Sequence, residues 1–165
     1  MTGADEIIRK LNLQPHPRED GFFAETHRSR DRITWEALPA FYGGTRCLST
    51  AIYFLLKSGG FSEMHRLRSE EVFHFYMGAP AEMLLLLPDG SGKVLRLGND
   101  LDAGEVPQIV VPRFAWQGLL TLGDYTLMGC TVAPGFEYSD FEPGNREDLE
   151  RQFPEFADAI ARRTR

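Results

Sequence analysis

Acid–base chemistry is concentrated in one stretch of the chain, Gly60-Phe-Ser-Glu-Met-His65-Arg-Leu67-Arg-Ser-Glu-Glu71-Val-Phe-His74-Phe-Tyr76-Met-Gly78. Read as a strand, it places Glu63, His65 and Leu67 on one face and Met64, Arg66 and Arg68 on the other. The face with His65 and Leu67 is expected to be the interior one, because the other carries two arginines. An imidazole inside a small barrel needs a partner, and Glu71 is the nearest carboxylate in sequence. Beside that carboxylate the His65 pKa is expected to rise, since a neighbouring negative charge favours the imidazolium. His65 is then a candidate general base or acid, and Glu71 a group that orients it. Tyr53, Tyr76 and Tyr138 offer candidate proton donors, of which Tyr76 is grouped with the catalytic pair. His74, Trp116 and Gln117, together with Tyr53 and Tyr138, are candidates for holding a substrate.

Each of these residues has a simpler alternative. His65 and Glu71 can be a satisfied buried pair, because structural ion pairs also perturb pKa values. Alternation from Glu71 sends Phe73 and Phe75 its way and turns His74 across the sheet, where packing or hydrogen bonding suffices. Trp116 and Phe114 are aromatic residues of the kind that pack cores and rims. Cys130 sits in a dense apolar segment and reads as an inert core thiol. Asp140, Glu142, Glu147, Asp148 and Glu150 read as a solvated acidic face, and His16 and His27 receive no role.

The elements that must position these residues are mostly strands. The chain of 165 residues has 12 Phe, 5 Tyr and 2 Trp against 16 Gly and 10 Pro, a balance that suits strands and turns better than a helical bundle. A short helix is expected over Asp5–Leu13, stopped by Pro15 and Pro17. Strands are expected at 21–28, 47–56, 62–67, 71–77, 82–87, 93–97, 105–111, 117–121 and 125–132, with another near Gly135–Phe141. Residues Asp31–Gly44 read as a long loop. Asn145 is placed to cap a helix through Gln152, and Pro154 to start a second through Arg163. This is an all-β core with terminal helices, in a single domain spanning 1–165.

Composition narrows the partners. The formal net charge is −6, and no basic stripe of the kind that tracks a nucleic-acid backbone is present. Cys47 and Cys130 form no CxxC pair and are expected as buried reduced thiols. The longest apolar runs are too short to span a bilayer, and the polar start is unlike a secretory leader. No nucleic acid and no membrane are expected, and the location read from this is cytoplasmic.

Gly60, His65, Leu67, Glu71 and Gly78, followed by Gly104 and Pro112, resemble the two motifs of the cupin superfamily. Where the family places Gly, His and Asn after that proline, this chain has Phe114, Gln117 and Thr121. The runs Leu48–Leu55, His65-Arg-Leu, Glu71-Val-Phe-His74, Gly104–Gln108 and Gly129–Phe136 are similar to one uncharacterised branch of single-domain cupins. The resemblance implies a double-stranded β-helix, the jelly-roll barrel, with a pocket in its mouth for a small-molecule ligand and a homodimeric assembly. The aromatic residues Trp35, Phe41 and Tyr42 would then cover the barrel or build a two-fold interface.

Cupins that bind a divalent metal take three His and one Glu, and the positions here are His65, Leu67, Glu71 and Gln117. Leucine has no donor and a neutral amide is a weak one, so no cofactor is expected; were a metal bound, His65, Glu71 and Gln117 would be its ligands. The arrangement is then similar to metal-free sugar epimerases of the same fold. The expected function is a metal-independent isomerase or epimerase of a sugar-like or carbonyl metabolite. The alternatives are a non-catalytic metabolite-binding cupin and a divergent metal-dependent dioxygenase or lyase.

Overall fold

The computed structural model describes residues 3–165. Their strands, in chain order, are β1 (Gln14–Pro15), β2 (Phe22–Arg28), β3 (Arg32–Ile33), β4 (Arg46–Cys47), β5 (Thr50–Lys57), β6 (Phe61–Arg66), β7 (Glu70–Gly78), β8 (Ala81–Leu86), β9 (Gly92–Leu97), β10 (Gln108–Val111), β11 (Trp116–Thr121), β12 (Tyr125–Ala133) and β13 (Glu142–Pro143). One sheet has the order β1-β2-β5-β12-β7-β10 and the other β13-β6-β11-β8-β9, while β3 and β4 pair separately. The fold is a double-stranded β-helix. Phe54, Phe73 and Met128 of the first sheet meet Met83, Leu85 and Leu119 of the second in one core.

Both sheets are also covered on the outside, which explains the unbroken apolar runs in β5 and β8. Phe54 and Leu56 point into the barrel, while Leu55 between them packs with Ile7 of α1 (Ala4–Lys10), Leu13 and Leu127. In β8, Met83 and Leu85 point inward. Leu84 and Leu86 instead meet Leu149 of α2 (Arg146–Gln152), Phe153, and Ile160 of α3 (Ala157–Ala161). Asn145 caps α2 by accepting the Asp148 backbone N–H at 3.1 Å, and a 3₁₀ turn from Pro154 precedes α3.

Several expectations change. Met64 is buried against Leu84, Leu86 and Leu149, so the face opposite His65 is a second packed layer and only Arg66 and Arg68 on it reach water. Residues Gly135–Phe141 form no strand; they carry a 3₁₀ turn at Tyr138–Asp140. The strand expected from Glu105 begins at Gln108. In the 31–44 excursion, Tyr42 is buried with its hydroxyl 3.1 Å from the Ser69 Oγ, Phe41 packs edge-on against Phe114, and Trp35 is exposed. No helix among the described residues is long and apolar enough to cross a membrane.

The detail that matters most for function is a bulge. In the β6–β11 ladder Gln117 lies opposite His65, but Leu119 lies opposite Ser62. One extra residue in β6 therefore puts Ser62 and His65 on the same inner face, as bulges do where they re-aim side chains. Glu63, expected inside with His65, instead makes an ion pair with Arg165 (2.8 Å).

Candidate functional site

A cavity of about 340 Å³ opens between the two sheets at one end of the barrel. Phe23, Ile52, Leu67 and Val132 supply apolar wall, and Phe136, Tyr138 and Phe141 close one side. Its polar lining includes His16, Glu19, Thr50, His65, Glu71 and Cys130, with Glu25, Arg28 and Glu137 half-exposed toward solvent.

His65 is fixed from two sides. Its Nδ1 lies 2.7 Å from the Glu63 carbonyl oxygen. That oxygen can only accept, so Nδ1 carries the hydrogen and Nε2 keeps the lone pair. Its ring also stacks on Phe141, with centroids 4.6 Å apart and planes within 17°. The orienting hydrogen bond thus comes from the backbone, and Glu71 acts on the ring through its charge. Burial outweighs that charge: the His65 pKa is lowered, against the expected rise, with Glu71 pulling the other way.

Glu71 is buried at the start of β7 and accepts a 2.6 Å hydrogen bond from Gln117 Nε2. Burial raises its pKa, while His65 and Gln117 pull it down. Gln117 is fully buried behind the cavity, and among the described residues its Oε1 has no hydrogen-bond partner. Cys130 is a free, buried cysteine that lines the cavity. Burial holds its thiol well above the usual range and therefore neutral.

The residues that sequence reasoning missed are His16 and Glu19, on the turn between β1 and β2. Glu19 accepts a 2.6 Å hydrogen bond from Ser62 Oγ, and its carboxylate lies 3.7 Å from His16 Nδ1 and 4.0 Å from His65 Nδ1. Burial pushes Glu19 up to about 7, partly offset by its hydrogen bonds to Ser62 and the Glu63 backbone. Burial pushes His16 down to about 4, helped by His65 and Arg18. No periodicity marks this turn; the one local signal is His16 held between Pro15 and Pro17.

These shifts make a stability prediction. A neutral buried His16 disfavours the fold as pH falls from 6.5 toward 4, because only the unfolded chain then takes up a proton. A protonated buried Glu19 disfavours it as pH rises from 4.5 toward 7, because only the unfolded chain then releases one. Between those limits the two slopes oppose each other. Relative to wild type, Glu19→Gln should make stability rise with pH in that window and be more stable at pH 7 by about 3 kcal/mol. His16→Gln should make stability fall with pH, by about 1–2 kcal/mol after solvent screening. Urea titrations at several pH values measure both, and unchanged slopes in the two variants would remove this picture.

The other sequence candidates lie elsewhere. Tyr76 and Tyr53 are on the outer face of the first sheet, ring to ring at 5.9 Å. Tyr76 lies over Gly129, where a β-carbon would strike its ring, and Tyr53 packs toward α1. His74 also faces away from the barrel interior, with Nε2 3.2 Å from Thr131 Oγ1 and Nδ1 3.1 Å from Gln108 Nε2. Trp116 packs on the layer that includes Leu149, under the Arg66 guanidinium at 4.4 Å. Of the proposed binding residues only Tyr138 lines the cavity, at its mouth beneath Arg18.

The segment bearing Phe136, Tyr138 and Phe141 is tied down by buried charge. Arg46 donates from Nε and Nη2 to the two oxygens of Asp140 at 2.7 and 2.6 Å, and from Nη2 to the Tyr42 carbonyl at 2.7 Å. Asp140, expected on a solvated face, is in fact buried. Arg28 adds bonds to Glu137 (3.1 Å) and the Phe136 carbonyl (3.2 Å).

Two packed antiparallel sheets with a pocket in the open end define the jelly-roll class. Residues 5–143 match the family described as Cupin superfamily (DUF985), and the chain belongs to that family. An uncharacterised protein of Saccharomyces cerevisiae is 31% identical over 152 residues, covering 84% of this chain and 74% of its own. A crystal structure of a Shewanella oneidensis protein is 34% identical with a TM-score of 0.86, covering 100% of this chain and 99% of that one. A hypothetical protein from Leishmania major is 28% identical with a TM-score of 0.87, over 98% of each chain. A mutant form of Bacillus subtilis oxalate decarboxylase shares the fold at 12% identity and a TM-score of 0.56. There this chain spans 37% of the neighbour's length.

The metal implied by the cupin resemblance does not fit the donors at these positions. Leu67 is a buried hydrocarbon, and the Gln117 amide nitrogen is committed to Glu71. Among the described residues no three His, Cys, Asp or Glu side chains are grouped to hold an ion.

Proposed function

We propose that this cupin moves a proton next to a carbonyl group of a small molecule held in the cavity, as a metal-independent isomerase or epimerase. The observation that carries the reading is the pairing of a neutral, backbone-oriented His65 with a buried Glu19 carboxyl 4.0 Å away in one cavity. His65 Nε2 takes the hydrogen from the carbon beside the carbonyl. Glu19, partly protonated at neutral pH, gives a proton to the carbonyl oxygen. The His65 imidazolium then delivers its proton to the former carbonyl carbon of the enediol, while the Glu19 carboxylate takes one from the neighbouring hydroxyl, so the carbonyl moves by one carbon and both groups return to their starting states. Glu71 steadies the imidazolium that forms. The proton-donor role given to Tyr76 from sequence passes to Glu19, because Tyr76 lies outside the barrel.

The test is hydrogen exchange. Purified protein in D₂O is incubated with hydroxy-aldehydes, hydroxy-ketones, their phosphate esters and nucleotide-linked keto-sugars, and loss of the α-hydrogen signal is followed by NMR. At least one compound should exchange far faster than in buffer alone. If none does, the reading falls.

A further inference from the structure

We infer that the cavity takes an uncharged, hydroxylated carbonyl compound of sugar-like size and turns away phosphate- and nucleotide-bearing relatives. The carbonyl rests on the proton-transfer reading above; the lack of charge rests on the cavity itself. Four acidic side chains line it, those of Glu19, Glu25, Glu71 and Glu137, against one guanidinium, that of Arg28. Arg28 is already committed. It donates to Glu25 from Nε at 3.1 Å and Nη2 at 2.9 Å, and to Glu137 and the Phe136 carbonyl as above. Arg18 lies over the Tyr138 and Phe141 rings and is not part of the lining.

A phosphate entering here would lose its water and meet no free cation among the lining residues, and such a desolvated charge is costly without a partner. Burial keeps the two lining histidines uncharged, so they do not supply one either. What remains suits a neutral polyol. The Glu19 and Glu71 carboxyls and the His65 imidazole can exchange hydrogen bonds with hydroxyl and carbonyl groups, and Phe23, Phe136 and Tyr138 offer ring faces to C–H surface. Size agrees. A cavity of about 340 Å³ is near the lower end of the roughly 300–1,000 Å³ typical of ligand pockets, too small to enclose a nucleotide sugar.

The experiment is a matched-pair titration by saturation-transfer NMR. Uncharged three- to six-carbon hydroxy-aldehydes and hydroxy-ketones are each compared with their own phosphate ester, using wild type and a Glu25→Gln/Glu137→Gln variant. At least one uncharged member should bind wild type, with its ester weaker by about tenfold or more. The double variant, in which Arg28 is released, should narrow that gap. A phosphate ester that binds as tightly as its parent, or a panel with no uncharged binder, overturns the inference. The two proposals fail separately: an uncharged binder that shows no α-hydrogen exchange removes the proton-transfer reading alone. An exchanging phosphate ester that binds as well as its parent removes the ligand class alone.

Discussion

Asp140→Ala is expected to cost about 3–5 kcal/mol, the loss typical of breaking a buried ion pair from one side. Both side chains are almost fully buried, at 5% and 2% exposure, and Asp140 is the only carboxylate hydrogen-bonded to Arg46 among the described residues. Without it, the guanidinium keeps its bonds to the Tyr42 and Thr45 carbonyls but loses the carboxylate hydrogen-bonded to it, and only the more distant Glu137 charge is left to offset its desolvation. Thermal unfolding should move down by about 10 °C for a chain of this length. The double change Arg46→Met/Asp140→Leu separates a buried charge from a lost contact. It removes both charges and should recover most of the loss, since apolar replacements of buried pairs are often neutral or better. If Asp140→Ala unfolds like wild type, the pair is not clamping this segment. The consequence reaches the site, because Phe141 follows Asp140 directly and stacks on His65.

The sequence makes the barrel legible and the site only half legible, for physical reasons that differ by residue. Turns marked by Gly and Pro and the β-branched content of β5 locate most strands, because those signals are local. His65 and Glu71 reach one cavity as expected, and alternation alone turns His74 to the outer face, where Thr131 and Gln108 bond it. The same alternation would have separated Trp116 from Gln117, since neighbours on a strand cannot both face inward. What cannot be read locally is the bulge in β6. The bulged strand itself carries no glycine; the glycine is Gly118 on the facing β11, where a β-carbon would lie 2.8 Å from Met64 Sδ and 3.1 Å from the Ser62 carbonyl oxygen, so Ser62 replaces Glu63 on the inner face only once the partner strand is known. Glu19 escapes for a related reason. In the run Arg18-Glu19-Asp20 it looks like a solvated charge, and only the bulged Ser62 and the neighbouring histidines give it a buried setting. Asp140 is similar: its partner Arg46 is far away in sequence, and nothing near either residue announces the pairing.

His65→Gln is expected to slow α-hydrogen exchange by about 10²–10⁴-fold, the usual contribution of a positioned general base, while leaving ligand affinity within a few-fold. The separation follows from the geometry. Gln fills much of the imidazole's space against Phe141, and its amide can still donate toward the Glu63 carbonyl, but it offers no basic lone pair. The pH profile distinguishes this role from a structural one. Exchange requires His65 neutral and Glu19 protonated. The acid limb should therefore lie below the ordinary histidine range, because burial lowers the His65 pKa. The alkaline limb should fall near pH 7, where Glu19 ionises. Glu19→Gln should erase the alkaline limb and lower the plateau, because the amide can hydrogen-bond the carbonyl oxygen but cannot hand it a proton. A His65→Gln protein that exchanges at the wild-type rate would take the base out of the mechanism. An alkaline limb that survives Glu19→Gln would move the acid to another group, and Glu71, whose carboxyl burial also pushes up, would be the next side chain to replace.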